Sequence, residues 1–321
     1  MANNNHLSPK VSGFTFINNG LSLGYPIKES ILSIEPLCDE IIINVGFNDE
    51  ALTKDDGTYQ YLRDNFPNKK FIFLKSFWNP LIRERGLILS EHANIALKAT
   101  SGKYAQYIQA DEIIHENDLP IIEDEIKHMD QDNRINGLVF NYIHFYGNTD
   151  IIKHTRNIYR REIRLIRNNL GIESYLDAQG FRHQPSNKKV KAKIINARIF
   201  HYGWAREQVI MSNKVKVMDN FYHGNEKDNY KDNEKDNDKD NCKGKGKNKE
   251  FIYENIWGLK KFNDQHPYFM RDWIEKHKNN IDILKLPMRF EFKNLGLLFS
   301  DLIERYTNYR IGEYKNYELL S

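Results

Sequence analysis

The sequence predicts an α/β protein: a mostly parallel sheet sandwiched by helices, with mixed-strand additions and a helical C-terminal lobe. Three observations predict it. Strand-like and helix-like runs alternate over residues 14–129, the pattern of a parallel sheet covered on both faces. Over 137–202 the β-prone runs continue with less helix between them, which suggests antiparallel or mixed strands. After residue 251 the apolar spacing becomes helical.

The elements follow in order. Phe14–Ile17 is a short β-prone run. Glu29–Leu37 reads as a helix stopped near Pro36. Glu40–Val45 is a β-branched run ahead of a Gly-Asn-Asp turn. Thr58–Phe66 is helix-like and Lys70–Leu74 is a strand. Leu87–Ala99 places apolar residues at helical spacing, with Gly102 as its stop. The strand Tyr104–Ile108 runs straight into adjacent carboxylates, Asp111 and Glu112. Acidic groups at the end of a buried strand are costly unless something positive faces them, and a divalent cation bridging a diphosphate fits that place. Asn117 is the expected N-cap of a helix over 118–129. Gly137–Phe145, Ile158–Ile166 and Lys193–Tyr202 are β-prone. The stretch holding Lys153, His154, Arg156, Arg160, Arg161, Arg164 and Arg167 reads first as a solvated, period-2 strand face, with a binding face for a diphosphate or an anionic acceptor as the alternative. In the C-terminal lobe, Tyr253–Phe262, His266–Lys278 (opened by Pro267) and Leu295–Tyr309 read as helices, the last with its apolar residues facing one way.

Residues 226–249 are of low complexity. EKDN, YKDN, EKDN and DKDN follow one another, and CKGKGKNK closes the run. With almost nothing apolar, such a segment cannot offset the entropy of ordering and is expected to be disordered. The domain organisation read from these changes is a sheet domain over 11–205, a connection over 206–223, a disordered insertion over 224–250 and a helical lobe over 251–321.

Bulk properties bound the function. An apolar content of 40% and an aromatic content of 12% are ordinary for a chain with a core. A net charge of +3 over 321 residues gives no argument for a nucleic-acid partner. Cys38 lies in an apolar segment and Cys242 in the polar repeat, so no disulfide framework is implied. The N-terminal MANNNHLSPK lacks an apolar signal core, and no apolar run approaches the length that spans a bilayer. These features lead us to expect a soluble, cytoplasmic protein.

Four segments, in this order and spacing, carry a resemblance: GFTFINN (Gly13–Asn19), IINVGFND (Ile42–Asp49), RGLILSEHANIAL (Arg85–Leu97) and YIQADE (Tyr107–Glu112). They resemble the family 2 glycosyltransferases of the GT-A fold, over roughly residues 11–205. DAQGFR (Asp177–Arg182) and HYGW (His201–Trp204) add likeness to a subset of that family. The chain departs from the family pattern at Asn44 and Val45, where two carboxylates are usual. It departs again at Gln109, the first carboxylate of the Asp-any-Asp motif, and at Ala93, usually Arg.

The resemblance implies transfer of a sugar from a nucleotide-sugar donor (UDP- or another NDP-sugar) to a hydroxyl of a glycan or other acceptor, with inversion. Mg²⁺ or Mn²⁺ would assist. Donor contacts are expected from Phe16, Asn18, Asn44, Arg85, Asn94, Gln109 and Asp111. Asp111, Glu112 and His201 are the expected metal ligands, since hard cations take oxygen ligands and neutral imidazole can join them. Asp177, in the loop YLDAQGFRH, is the expected general base; a loop-capping Asx-turn is its structural alternative. His144, Tyr146 and Trp204 are candidate acceptor contacts through stacking, and equally candidate core residues. Two other readings compete. A sugar-phosphate nucleotidyltransferase would need a Gly-rich phosphate loop that GFTFINNGLSLGYP lacks. A catalytically silent nucleotide-sugar or glycan-binding scaffold would account for Gln109, Asn44 and Val45.

Overall fold

The computed structural model describes residues 10–222, 251–279, 281–289, 292 and 294–320. The expected insertion over 224–250 lies outside them. The class is the expected one, mixed α/β around a large sheet.

The first half builds a parallel sheet. β1 (Val11–Asn18), β2 (Glu40–Phe47), β3 (Phe71–Phe77) and β4 (Tyr104–Tyr107) lie in the order 3-2-1-4. All three pairings are parallel, with Phe16 opposite Asn44 and Phe14 opposite Tyr107. β1, β2 and β4 are buried nearly throughout, which is why they read as continuous apolar runs. The crossovers are α1 (Ile27–Ile34), α2 (Thr58–Asn65) and α3 (Leu87–Lys98). The chain leaves β1 toward β2 and β3 on one side and later places β4 on the other. The switch point of this sheet is therefore between β1 and β4, at their C-terminal ends, where open α/β sheets bind ligands. Gly102 does not end α3, which stops at Lys98. It lets the chain approach β1: a Cβ there would lie 2.7 Å from Ser12 Oγ and 2.8 Å from Ser12 N.

Mixed strands extend the sheet. They are β5 (Glu112–Ile114), β6 (Gly137–Tyr146), β7 (Asn148–Lys153), β8 (Arg161–Arg167) and, after the small antiparallel sheet β9 (Ile172–Tyr175), β10 (Gly180–His183) and β11 (Lys188–Lys189), the long β12 (Lys191–Trp204). β8 bridges β4 and β6 antiparallel to both. β12 runs parallel to β6 and antiparallel to β5. The helix α4 (Leu119–Gln131) precedes β6; its N-cap position is Asp118, not Asn117, and a preceding turn is capped by His115 instead.

The basic stretch is not a solvated face. Arg164 is fully buried and Arg167 nearly so. Arg167 Nη2 donates to the carbonyls of Met129 and Ile135, and Arg160 pairs with Glu304 and Glu313.

The C-terminal segment shares in the sheet more than its apolar spacing suggested. The run 253–262 is not a helix: it forms β13 (Asn255–Ile256), a turn at Gly258, and β14 (Leu259–Lys261), which pairs with β7. The helix α5 (Gln208–Tyr222) fills most of the expected connection. α6 (Arg271–Lys276), β15 (Met288–Arg289), α7 (Asn294–Thr307) and β16 (Glu318–Leu319) complete the fold, β16 joining β12. Among the described residues no helix is long and apolar enough to cross a membrane.

α7 is amphipathic in the opposite sense to a core helix. Phe299 is 63% and Tyr306 82% exposed, while Ser300 is 1% exposed. Its inward contacts are polar: Asp301 accepts from Trp257, and Glu304 from Arg160 and Arg310. Burial, not residue type, sets the cost of truncation. Phe200→Ala, in a buried cluster with Ile113, Phe145 and Trp273, is expected to cost about 3–5 kcal/mol. Phe299→Ala is expected to stay within about 0.5 kcal/mol. Urea denaturation of both variants checks the contrast.

Candidate functional site

The site is built at the switch point, around the turn between β4 and β5. α1 holds that turn in place: Ser30 Oγ donates to the Gln109 carbonyl at 2.8 Å, and Ser33 Oγ accepts from Ile114 N at 3.2 Å. β12 holds it from the other side, through Tyr202 N–H to the Asp111 carbonyl at 2.8 Å. Within the turn the two adjacent carboxylates take different fates.

Glu112 is fully buried and committed to the fold. Arg164 Nη2 and Nε donate to its two oxygens at 2.7 and 2.8 Å, and Tyr142 Oη and Gln109 N donate as well. A carboxylate so occupied offers no lone pair to a cation, so the expectation of a metal ligand here gives way to a structural ion pair.

Asp111 is also buried, but its surroundings are ionic and mixed. Lys214 Nζ lies 3.0 Å and Arg206 Nη2 3.5 Å from Oδ2, while His201 Nε2 lies 3.7 Å from Oδ1. Burial pushes the carboxyl up, but the permanent charges beside it, Lys214 foremost and then Arg206, outweigh it and hold the group well below the usual carboxylate range. Tyr25, from the loop after β1, lies beneath both cations, with ring-centre distances of 4.3 Å to Arg206 and 5.0 Å to Lys214. Burial, and then the Asp111 charge, keep its phenol protonated.

His201 is oriented by a relay. His144 Nε2 lies 2.7 Å from the Tyr159 carbonyl and so carries the proton. His144 Nδ1 then accepts from His201 Nδ1 at 3.0 Å, which leaves His201 Nε2 as a lone pair facing Asp111. Burial lowers the pKa of both rings, in keeping with neutral imidazoles. Gly203 leaves room at this point: a Cβ there would lie 2.6 Å from His201 Nε2 and 3.1 Å from Asp111 Oδ2. Among the described residues no group of three His, Cys, Asp or Glu could hold a metal. Asp111 Oδ1 and His201 Nε2 therefore stand as a pair 3.7 Å apart, with the His201 tautomer set by His144.

Gln109 connects this turn to the loop of Asp177. Its Nε2 donates to the Ala178 carbonyl and to Tyr107 Oη, both at 3.2 Å. Arg164 Nη1 donates to the Gln179 carbonyl at 2.8 Å. Leu176 and Ala178 flank Asp177 at φ 50° and 60°, a left-handed conformation unfavourable for both residues. Strain of this kind is concentrated at functional sites. Asp177 Oδ1 accepts from Gln179 N at 3.3 Å, so the Asx-turn is present, and the side chain is half-buried. Glu162 nearby is buried. Burial holds its carboxyl far above the usual range, Arg164 opposing and Asp177 adding to the shift, so it favours the protonated form.

The remaining expected residues are spread along the strand ends. Phe16 stacks on Trp78 with centroids 6.2 Å apart, and Asn18 donates to the Gly46 carbonyl and Asn48. Asn44 is fully buried, donating to the His92 carbonyl and accepting from Ser76 Oγ. Asn94 ties α3 to β9 through both its amide atoms at Ser174. Arg85 is exposed just before α3. His144 has both nitrogens engaged. Tyr146 packs edge-on against Tyr253 and Trp204 against Phe251, so these two aromatics lie within an apolar cluster. Sequence reading missed Arg206, Lys214 and Tyr25. The one signal for Lys214 was its place three residues after the buried Met211, on the inward face of a helix.

Burial lowers His92 to about 4. The unfolded ring takes its proton near 6.5 and the folded one only near 4, so the stabilisation is complete above about pH 6.5. It is lost as pH falls toward 4, by up to about 3 kcal/mol. Melting temperature against pH, for the native chain and for His92→Gln, is expected to show the acid-side slope shrink in the variant.

No protein-family model and no curated protein matches the chain. Among solved structures it is similar to S. aureus TarS, at 11% identity and TM-score 0.36, over 65% of this chain and 39% of that one. It is similar also to glucosyl-3-phosphoglycerate synthase from Mycobacterium tuberculosis in complex with Mn²⁺, UDP and phosphoglyceric acid, at 18% identity and TM-score 0.29, over 41% of this chain and 43% of that one. A third is a mannosyltransferase from Pyrobaculum calidifontis in complex with GDP-Man and Mn²⁺, at 16% identity and TM-score 0.29, over 44% and 37%. The chain thus spans less than half the length of each of these three.

Proposed function

We propose that this chain is a glycosyltransferase that moves a sugar from a nucleoside-diphosphate sugar to a hydroxyl acceptor. One observation carries the reading: at the switch point of the sheet, the oriented pair Asp111 and His201 is linked through Gln109 to the strained loop that presents Asp177. The order of the four sequence segments supports the same class. In this reading the diphosphate lies over the C-terminal ends of β1 and β4, and Phe16 and Asn18 line the nucleoside side.

The reaction breaks the bond between the anomeric carbon and the diphosphate oxygen, whose electron pair departs with the diphosphate. The acceptor oxygen forms the new bond from the opposite face, with inversion, and its proton passes to the Asp177 carboxylate. A divalent cation, when bound, would be held by Asp111 and His201 and would supply charge neutralisation to the diphosphate. Asp111 and His201 orient that end of the donor, and the backbone clamp on the β4–β5 turn keeps both fixed. Arg164, through the Gln179 carbonyl, and Gln109, through the Ala178 carbonyl, hold Asp177 at its position.

A panel of UDP- and GDP-sugars, followed by thermal shift with Mn²⁺ present and then by nucleoside diphosphate release, tests the reading. The cognate donor is expected to raise Tm by preferential binding to the folded state and to be turned over. Binding without turnover across acceptors would leave a nucleotide-sugar-binding scaffold. No shift from any donor would remove the proposal.

A further inference from the structure

We infer that the outward face of α7 docks a second copy of this chain, the two helices packing antiparallel about a two-fold axis. The inference stands independently of the donor reading above.

Phe292, Leu295, Phe299, Leu302, Tyr306 and Tyr309 follow one another at alternating intervals of three and four residues. This is the repeat of a seam between two helices, narrower than the stripe of a helix lying on a core. All six are exposed, from Leu302 at 45% to Phe292 at 91%. The other side of α7 is already in use. Asn294 and Ser300 are buried there, Asp301 accepts from Trp257, and Glu304 accepts from Arg160 and Arg310. The helix is therefore fixed to the protein by its polar side, with the apolar seam turned out.

The area suits a dimer. Weighted by their exposures, and at about 200 Å² for a whole aromatic side chain, the four rings alone leave about 600 Å² in water. That is the upper end of what a monomer exposes in one patch. Two such faces together remove about 1,200 Å², the lower bound of a stable interface. The chain outside the described residues offers no apolar stripe to lie there instead: 1–9 reads MANNNHLSP, and 223–250 holds the KDN repeats and CKGKGKNK. A lipid surface would call for Lys and Arg along the helix's polar side. Here that side carries Asp301 and Glu304 and is turned into the protein, and Arg305 is the one cation in α7.

The antiparallel sense follows from side-chain size. α7 (Asn294–Thr307) and the seam share a midpoint between Ser300 and Asp301. A two-fold axis there sets Phe299 against the partner's Leu302, Leu295 against the partner's Tyr306 and Phe292 against the partner's Tyr309. Two of these three layers match large against small, which packs densely. Parallel helices would set each ring against its own copy. The antiparallel contact is also self-complementary and closes at two chains.

Sedimentation equilibrium of the full chain from about 1 to about 100 µM tests this, and a monomer–dimer equilibrium with Kd in the micromolar range is expected. Phe299→Asp, at the centre of the seam, is expected to weaken it by about 30-fold or more, the effect of losing an interface anchor. Its circular dichroism should be unchanged; should it not be, Tyr306→Glu, at an 82% exposed position, takes its place. The small cost given above for Phe299→Ala is that of the dissociated chain. Leu295→Cys mixed with Tyr306→Cys, each on a Cys242→Ser background, is expected to give a mixed disulfide-linked dimer on air oxidation, and neither variant alone is. A native chain that stays monomeric over the whole range overturns the inference, and its flotation with phosphatidylserine vesicles would give the face to lipid instead. A dimer that folded Phe299→Asp and Tyr306→Glu both leave intact overturns it as well, by placing the interface elsewhere. Linked dimers from either cysteine variant alone, without the mixed product, overturn the antiparallel arrangement.

Discussion

Arg164→Met is expected to destabilise the protein by about 3–5 kcal/mol, the cost of leaving a buried carboxylate without its partner. The geometry leaves Glu112 no alternative. Both Glu112 and Arg164 side chains have zero exposure, and the remaining donors to the carboxylate, Tyr142 and Gln109 N, carry no charge. The double variant Arg164→Met/Glu112→Leu should recover most of the loss, because two apolar groups of similar volume bury without a desolvation penalty. Urea denaturation of the native, single and double variants measures this directly. A single variant losing less than about 1 kcal/mol, the range of an exposed pair, would show that the pair is not the keystone of the turn. The double variant carries a second consequence. Arg164 also donates to the Gln179 carbonyl, so its removal loosens the Asp177 loop even where stability returns.

Asp177→Asn is expected to lower turnover by about 10²- to 10⁴-fold, the usual contribution of a general base. Nucleotide-sugar affinity should change by no more than about threefold, under about 0.7 kcal/mol. In the proposed reading the two effects separate because the base meets the acceptor proton while Asp111 and His201 meet the donor. Asparagine retains the Oδ1 that accepts from Gln179 N, so the Asx-turn survives and the loss reads on proton transfer. Nucleoside diphosphate release and donor titration, done on the same preparation, give the two numbers. A drop in affinity equal to the drop in turnover would assign Asp177 to donor binding, and unchanged turnover would return it to the loop-capping role.

Much of the frame was legible in the residues. Val11–Asn18 and Glu40–Phe47 are buried on both faces, so their apolar runs could only be parallel interior strands, and the helices between them followed from 3.6-residue spacing. The acidic turn at 111–112 was legible for the same reason, since carboxylates directly after a buried strand require partners. Three things were not. The run 253–262 has helical spacing but pairs with β7, because tertiary pairing on an open strand edge overrides local preference. The α7 stripe was visible, but not that it faces outward, because periodicity shows that a helix has two faces and not which one meets the protein. The basic stretch after 153 read as a solvated face, since a period of two does not distinguish a strand side bathed in water from one buried against carbonyls and carboxylates.

The sequence by itself determined the class of the sheet, the place of its first four strands along the chain, and the presence of a carboxylate after β4. Only the tertiary structure decided which of two adjacent carboxylates pairs with Arg164 and which meets Lys214, Arg206 and His201. It also alone brought Lys214 and Arg206 to Asp111, across 103 residues of chain in the first case. The physical reason is that a local pattern fixes hydrogen bonding and burial along one element, whereas charge balance is settled among side chains that meet only when β4, β12 and α5 converge.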